Sequence, residues 1–322
     1  MAKNFLIKGD FDIIMNYAAQ QWATDLMFGV LDKVNAKKIL VPCGFSGLYD
    51  PSYKNYFSKL PSLLKKYHAT VYLSNDYRDI DFARKNNIKN LQIIPNGADE
   101  REFGSTSQQK TVDFRKKYKI RLDELLILNV SNHTGVKGHK EAIQAFQRAK
   151  IKNATLMFIG DINHHAGCYK NCKKSEWINN KVISLISKSN KKIIIKKLKR
   201  EDTITAFFAC DFFLFLSNLE CSPLVLFEAI AAGKPFISSG CGNSSEIAKW
   251  TEAGIIINSK QDKRGFTQID NNSASMAIEK LANNKMLRLK LGRQGKKAWK
   301  QKFSWEKISK QYEILYKKLL DN

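Results

Sequence analysis

The residues best suited to chemistry lie in one stretch, LSNLECSPLVLFEAIAAGKPFISS, residues 216–239. An apolar run ends at Ser217, and Asn218-Leu219-Glu220 read as a loop. Ser222-Pro223 then read as a helix N-cap followed by the proline favoured in a first turn. The first N–H groups of such a helix, near Leu224 and Val225, have no acceptor within it, and the helix dipole adds positive charge, so its tip can hold a phosphate. Glu220 lies just before the helix and Glu228 about one and a half turns inside it. One carboxylate can therefore meet a sugar hydroxyl while the other meets a ribose. Two glutamates so spaced occur by chance in any chain of this length; the strand-loop-helix context gives them weight.

A helix tip serves a ligand when a parallel sheet aims it into a crevice. The apolar pattern supplies such sheets twice. Strand-like runs at 11–15, 38–41, 69–73 and 91–94 alternate with helical patterns at about 17–34, 53–66 and 76–86. The turn Pro95-Asn96-Gly97 and the polar stretch Glu100 to Lys110 then place a domain boundary. A second alternation follows, with strands at 125–130, 155–159, 192–195, 212–216, 235–238 and 254–257, and helices at about 138–149, 201–208 and 223–232. Strands alternating with helices imply parallel crossovers, so the expected class is α/β, with two Rossmann-like halves.

Composition limits what such a chain can be. With 322 residues, 43% hydrophobic and 26% charged, it can bury two cores, and wholesale disorder is excluded. No apolar run approaches a bilayer span, and Phe5-Leu6-Ile7 is too short for the core of a signal peptide, so the expected location is the cytoplasm. The six cysteines are accordingly expected as thiols. The net charge of +24 attracts anionic partners without choosing among them. Residues 170–200 hold eleven bases against Glu176 alone, and residues 285–318 hold twelve against Glu306 and Glu313. These stretches read as solvated basic surface, with docking on an anionic membrane surface as the second reading. No nucleic-acid recognition module accompanies them, so no specific nucleic-acid partner is expected. The apolar and aromatic positions of 53–67 fit either packing on the sheet or an interfacial helix.

With Glu220 and Glu228 seven residues apart and Ala229 to Gly233 following, the chain resembles the retaining, nucleotide-sugar-dependent glycosyltransferases of family 4, or group 1, which have the GT-B fold. Further landmarks fall in the family's order: IPNGADEREF (94–103), NVSNHTGVKGHKEAIQAF (129–146), GCGNSSEI (240–247) and FSWEKI (303–308). The resemblance implies two Rossmann-like domains with parallel sheets facing a central cleft. They would be a shortened acceptor-side domain over 1–104 and a nucleotide-sugar domain over 105–302, with a helix over 303–322 returning toward the first. It implies that Lys137 neutralises the donor diphosphate, that Gly138 permits close helix approach, and that Glu228 binds the donor ribose. Glu220 would contact the transferred sugar, and Ser222, Leu224 and Val225 the sugar and phosphate. Glu220 and Lys137 would carry catalysis, with no metal and no cofactor beyond the donor. The acceptor would be a glycan, lipid-linked or protein-linked.

Three positions depart from the family's pattern. Asn132, expected among the donor-binding residues, stands where many members have an arginine, so Lys199 or Arg200 would supply the missing charge to the donor phosphates or base. In PCGFSG (42–47), Cys43 and Gly44 occupy the acceptor-side segment where the family has a histidine and a glycine. Only about 100 residues precede the hinge, without the usual opening strand and its glycine-rich loop, so a truncated or non-catalytic nucleotide-sugar-binding relative is the alternative. His164, His165, Cys168 and Cys172 invite a zinc reading. Their spacing is not a standard zinc pattern, and a metal-free loop is expected there.

Overall fold

A computed structural model describes residues 2–162 and 167–321. The first half forms a four-stranded sheet in chain order: β1 (Ile13–Tyr17), β2 (Lys37–Val41), β3 (Ala69–Tyr72) and β4 (Leu91–Ile93). All neighbours are parallel. The helical run expected at 17–34 is shorter, a helix Trp22–Phe28 followed by one 3-10 turn, Leu31–Lys33. Ala18 and Gln20 adopt left-handed backbone, which a right-handed helix cannot include, and Gly29 ends the helix. The helix Lys54–Leu64 buries Phe57, Leu60 and Leu64 in the first-domain core, so packing accounts for its apolar positions.

The second half forms a six-stranded parallel sheet: β5 (Leu125–Val130), β6 (Ala154–Ile159), β7 (Lys191–Lys196), β8 (Phe212–Phe215), β9 (Phe236–Ser238) and β10 (Gly254–Ile256). Their spatial order is β10-β9-β8-β5-β6-β7. Its apolar strands bury side chains on both faces, giving one core around Phe207, Phe213 and Phe227 and another around Phe146, Phe158 and Phe212.

The chain then crosses back. The helix Trp305–Leu320 packs Ile308 and Leu315 with Ile39, Val41, Val71 and Ile94 of the first half. Just before it, Trp299 donates from Nε1 to Ala98 O at 3.0 Å, tying the segment after β4 to the returning one. Some lysines of the basic stretches are structural rather than solvated. Lys191 Nζ donates to Phe146 O and Gln147 O, both at 3.0 Å, where the helix His139–Arg148 leaves carbonyls unpaired. Lys296 does the same for Phe103 O at 2.7 Å. None of the six cysteines is disulfide-bonded. Among the described residues no helix is long and apolar enough to cross a membrane.

Candidate functional site

The order of the second sheet reverses between β5 and β8, whose connections leave in opposite directions and open a crevice at their carboxyl ends. Residues 131–138 follow β5 and residues 216–223 follow β8, so both expected donor segments arrive there. They bind each other: Asn218 N–H donates to Val136 O at 2.9 Å, and Ser217 Oγ to the same oxygen at 3.1 Å. At Gly138 the backbone is left-handed, φ +65°, and a Cβ would lie 1.5 Å from Leu216 O. Only glycine allows that approach. Across the crevice Lys137 Nζ meets Glu220 Oε1 at 2.6 Å, with the side chains 26% and 13% exposed.

The helix following β8 is Leu224–Ala231, and its N-cap is Pro223, one residue later than expected. Pro223 is extended, at φ −71° and ψ 112°, so the helix cannot begin at it. Ser222 therefore does not cap the helix. Its hydroxyl is buried without a partner, while its carbonyl accepts from Asn96 Nδ2 at 2.9 Å. Leu224 and Val225 open the first turn, and Leu224 is exposed at the tip. Glu228 is buried further along and meets Arg200 at 2.6 Å. Burial raises the Glu228 carboxyl above its usual range, and the Arg200 guanidinium opposes the rise. Arg200 also donates from Nε to Glu102 Oε1 at 3.0 Å, so it is engaged by two carboxylates. Lys199 is exposed at the N-cap of the helix Arg200–Ala209, which precedes β8. Asn132 Oδ1 accepts from Asp161 N–H at 3.0 Å, holding the loop after β5 to the loop after β6.

The first domain meets this crevice through residues 42–47. Gly44 N–H donates to Asp79 Oδ2 at 2.9 Å, and a Cβ on Gly44 would lie 2.6 Å from Cys221 Cβ. The loop thus abuts the residue after Glu220, whose own carbonyl accepts from the Tyr77 hydroxyl. Burial pushes the Cys43 thiol up to about 11, which keeps it protonated at neutral pH. Burial likewise raises Asp79 to about 6, despite the amides of Ile80 and Gly44.

Sequence reasoning missed Tyr77, Arg78 and Asp79, which stand at an ordinary helix start with no motif around them. Arg78 reaches Gly265 O at 2.7 Å, and Ser74 Oγ donates to Glu246 Oε2 at 2.5 Å. These contacts border an interdomain cavity of about 590 Å³, which Tyr77, Arg78, Gly242, Asn243 and Glu246 help to line. The segment GCGNSSEI was a usable signal for its second-domain wall; its first-domain wall had none.

A family model described as Glycosyl transferases group 1 matches residues 111–298. The chain belongs to this family. N-acetyl-alpha-D-glucosaminyl L-malate synthase of Bacillus anthracis is 25% identical over 230 residues, covering 71% of this chain and 54% of that enzyme. An uncharacterized glycosyltransferase of Methanocaldococcus jannaschii is 26% identical over 233 residues, covering 70% and 54%. The chain spans about half the length of the curated relatives it matches. Anabaena HepE in complex with UDP superposes with a TM-score of 0.80 at 15% identity, covering 98% of this chain and 81% of that one. Sucrose-phosphate synthase from Thermosynechococcus elongatus gives 0.78 at 17%, covering 99% and 76%. The expected fold is the fold found: two Rossmann-like domains with parallel sheets in a GT-B-like arrangement around a cleft. In this member of the group 1 family the matched segment contains Lys137, Glu220 and Glu228, whereas Cys43, Tyr77 and Asp79 lie before it.

Proposed function

We propose that the protein transfers a glycosyl group from a nucleoside diphosphate sugar to a hydroxyl of a glycan, lipid-linked or protein-linked acceptor, with retention at the anomeric carbon. The observation that carries this reading is the Lys137–Glu220 ion pair at the sheet's switch point, beside the exposed tip of the helix Leu224–Ala231. An incoming diphosphate competes for the Lys137 ammonium, and the tip amides of Leu224 and Val225 supply the remaining donors. Glu220, released from the lysine, accepts from hydroxyls of the transferred sugar. Glu228, held by Arg200, accepts from the ribose. The buried, unpartnered Ser222 hydroxyl supplies a further polar contact.

In the reaction the bond from the anomeric carbon to the phosphate oxygen breaks, and its electron pair stays on the diphosphate. The acceptor oxygen bonds to the anomeric carbon on the same face, and its proton passes to the departing phosphate oxygen. Lys137 and the helix-tip amides stabilise the charge that develops there, so no catalytic metal is required. The cationic surface suits an acceptor presented on an anionic membrane. Cys43 and Gly44 shape the acceptor side, and the protonated Cys43 thiol acts by size rather than as a nucleophile.

Purified protein incubated with a panel of nucleoside diphosphate sugars tests the reading through nucleotide release and acceptor glycosylation. Donor binding and turnover that both survive Lys137→Ala combined with Glu228→Ala would remove these residues from the mechanism. Binding without turnover across a broad acceptor panel would favour a nucleotide-sugar-binding relative.

A further inference from the structure

On the β6 side of the Lys137 loop, four side chains with sulfur or imidazole donors converge. His133 lies in the loop after β5, and His139 opens the helix that follows Gly138. Cys168 and Cys172 stand one turn apart on one face of the helix Cys168–Ile178. Cys168 Sγ lies 3.6 Å from His133 Nδ1, 3.7 Å from His139 Nδ1 and 3.9 Å from Cys172 Sγ. One donor atom from each of His133, His139 and Cys168 lies within 4.8 Å of the others. Both imidazoles are buried, and their rings stack at 4.3 Å between centroids.

The three separations from Cys168 match edges of a coordination tetrahedron, with Cys172 joined to the group through Cys168. Zinc bonds of about 2.3 Å to sulfur and about 2.0–2.1 Å to nitrogen place two sulfurs about 3.8 Å apart and a sulfur and a nitrogen about 3.6 Å apart. All three distances around Cys168 agree to within about 0.2 Å of those edges. The proton on His139 is placed by its neighbours. Asn129 Nδ2 donates to Leu214 O at 2.7 Å, which turns Oδ1 toward Ser131. Ser131 Oγ donates to that Oδ1 at 2.6 Å, so its own oxygen accepts from His139 Nε2, 3.1 Å away. His139 Nδ1 therefore presents a lone pair to Cys168, the orientation that an outer hydrogen-bond partner gives a metal-binding histidine. The Cys168 thiol faces that lone pair, with His133 Nδ1 and Cys172 Sγ converging on the same sulfur.

We propose that His133, His139, Cys168 and Cys172 bind one zinc ion, which clamps the Lys137 loop to the helix Cys168–Ile178. Two thiolates and two neutral imidazoles balance the ion's charge and fill a closed, structural coordination shell. The soft donor set selects against magnesium and calcium. This revises the metal-free loop expected from the sequence, where Cys168 and Cys172 were grouped with His164 and His165. Those two histidines lie outside the described residues, and the cysteines instead meet histidines about 30 positions earlier, brought in by the pairing of β5 with β6.

The test is elemental analysis of full-length protein purified under reducing conditions and dialysed. About one zinc per chain is expected. Cobalt loaded in its place should give the visible bands of a tetrahedral ion with sulfur-to-cobalt charge transfer. A thiol reagent should count two more cysteines after chelation, and chelation should lower Tm. Cys168→Ser and Cys172→Ser should each lose the metal; if either fails to fold, the cobalt spectrum and thiol count of the native chain decide. Metal-free protein that takes up no zinc in competition with a chromophoric chelator would overturn the proposal, as would an octahedral cobalt spectrum or full zinc retention in Cys172→Ser.

Discussion

The two halves of the molecule bring their loops to the crevice by different means. At the carboxyl ends of β5 and β9, left-handed backbone falls on glycines: Gly135, Gly138 and Gly242, at φ +86°, +65° and +59°. At the carboxyl ends of β1 and β2, Gly44 also has positive φ, +101°, but Ala18, Gln20, Cys43 and Phe45 join it, at φ +69°, +58°, +58° and +45°. A side chain in that region costs on the order of 1–3 kcal/mol and persists only where the surroundings enforce it. The enforcing contacts are visible. Thr24 Oγ1 donates to Ala18 O at 2.7 Å, and Gln20 N–H donates to the Tyr56 hydroxyl at 3.0 Å. Phe45 packs edge-on to both Phe57 and Phe82, each 5.4 Å away. The lesson is that the second-half loops are written into their own residues, whereas the first-half loops are imposed largely by the side chains packed around them.

The hardest test of this contrast is Gly138→Ala. With a Cβ position 1.5 Å from Leu216 O, the two strand-end loops cannot both stay in place. Thermal denaturation should show a loss of about 3 kcal/mol or more; a Tm within a degree or two of the native chain would mean that the loop is not locally specified. Next in size is Lys137→Ala, which removes the crevice ammonium and leaves the largely buried Glu220 carboxylate without it. Turnover should fall about 10²–10³-fold, mostly in kcat. An unchanged kcat would move the reacting centre away from this pair.

A third test concerns pH and the first half. Burial raises Asp79 to about 6 in the folded chain, against about 3.9 when unfolded, so between these values the folded state binds more protons. Stability from this group is complete below about pH 4 and is lost as pH rises to about 6, a change on the order of 3 kcal/mol. Asp79→Asn should flatten that portion of the stability curve in denaturant titrations, and a slope that survives the substitution would assign it to another group. The smallest effect is expected at Cys43→Gly. Relieving the left-handed strain should raise stability by about 1 kcal/mol, less the packing lost with the thiol. Marked destabilisation there would show that the side chain's contacts outweigh the strain.

Local pattern determined much of this protein. Every run read as a strand forms one within about two residues, because alternating apolar runs and helical periods record burial directly. The helix tip after Glu220 and the glycine before His139 were readable because a proline, a glycine and a buried glutamate each constrain their own backbone or surroundings. Tertiary structure alone decided the partners: Lys137 with Glu220, Arg200 shared between Glu228 and Glu102, Asp79 under Gly44, and His133 and His139 facing Cys168. Each pairing joins positions separated by a crossover, and which strands lie side by side is fixed by how the whole sheet closes over its two cores. The spacing of residues along the chain does not encode that order.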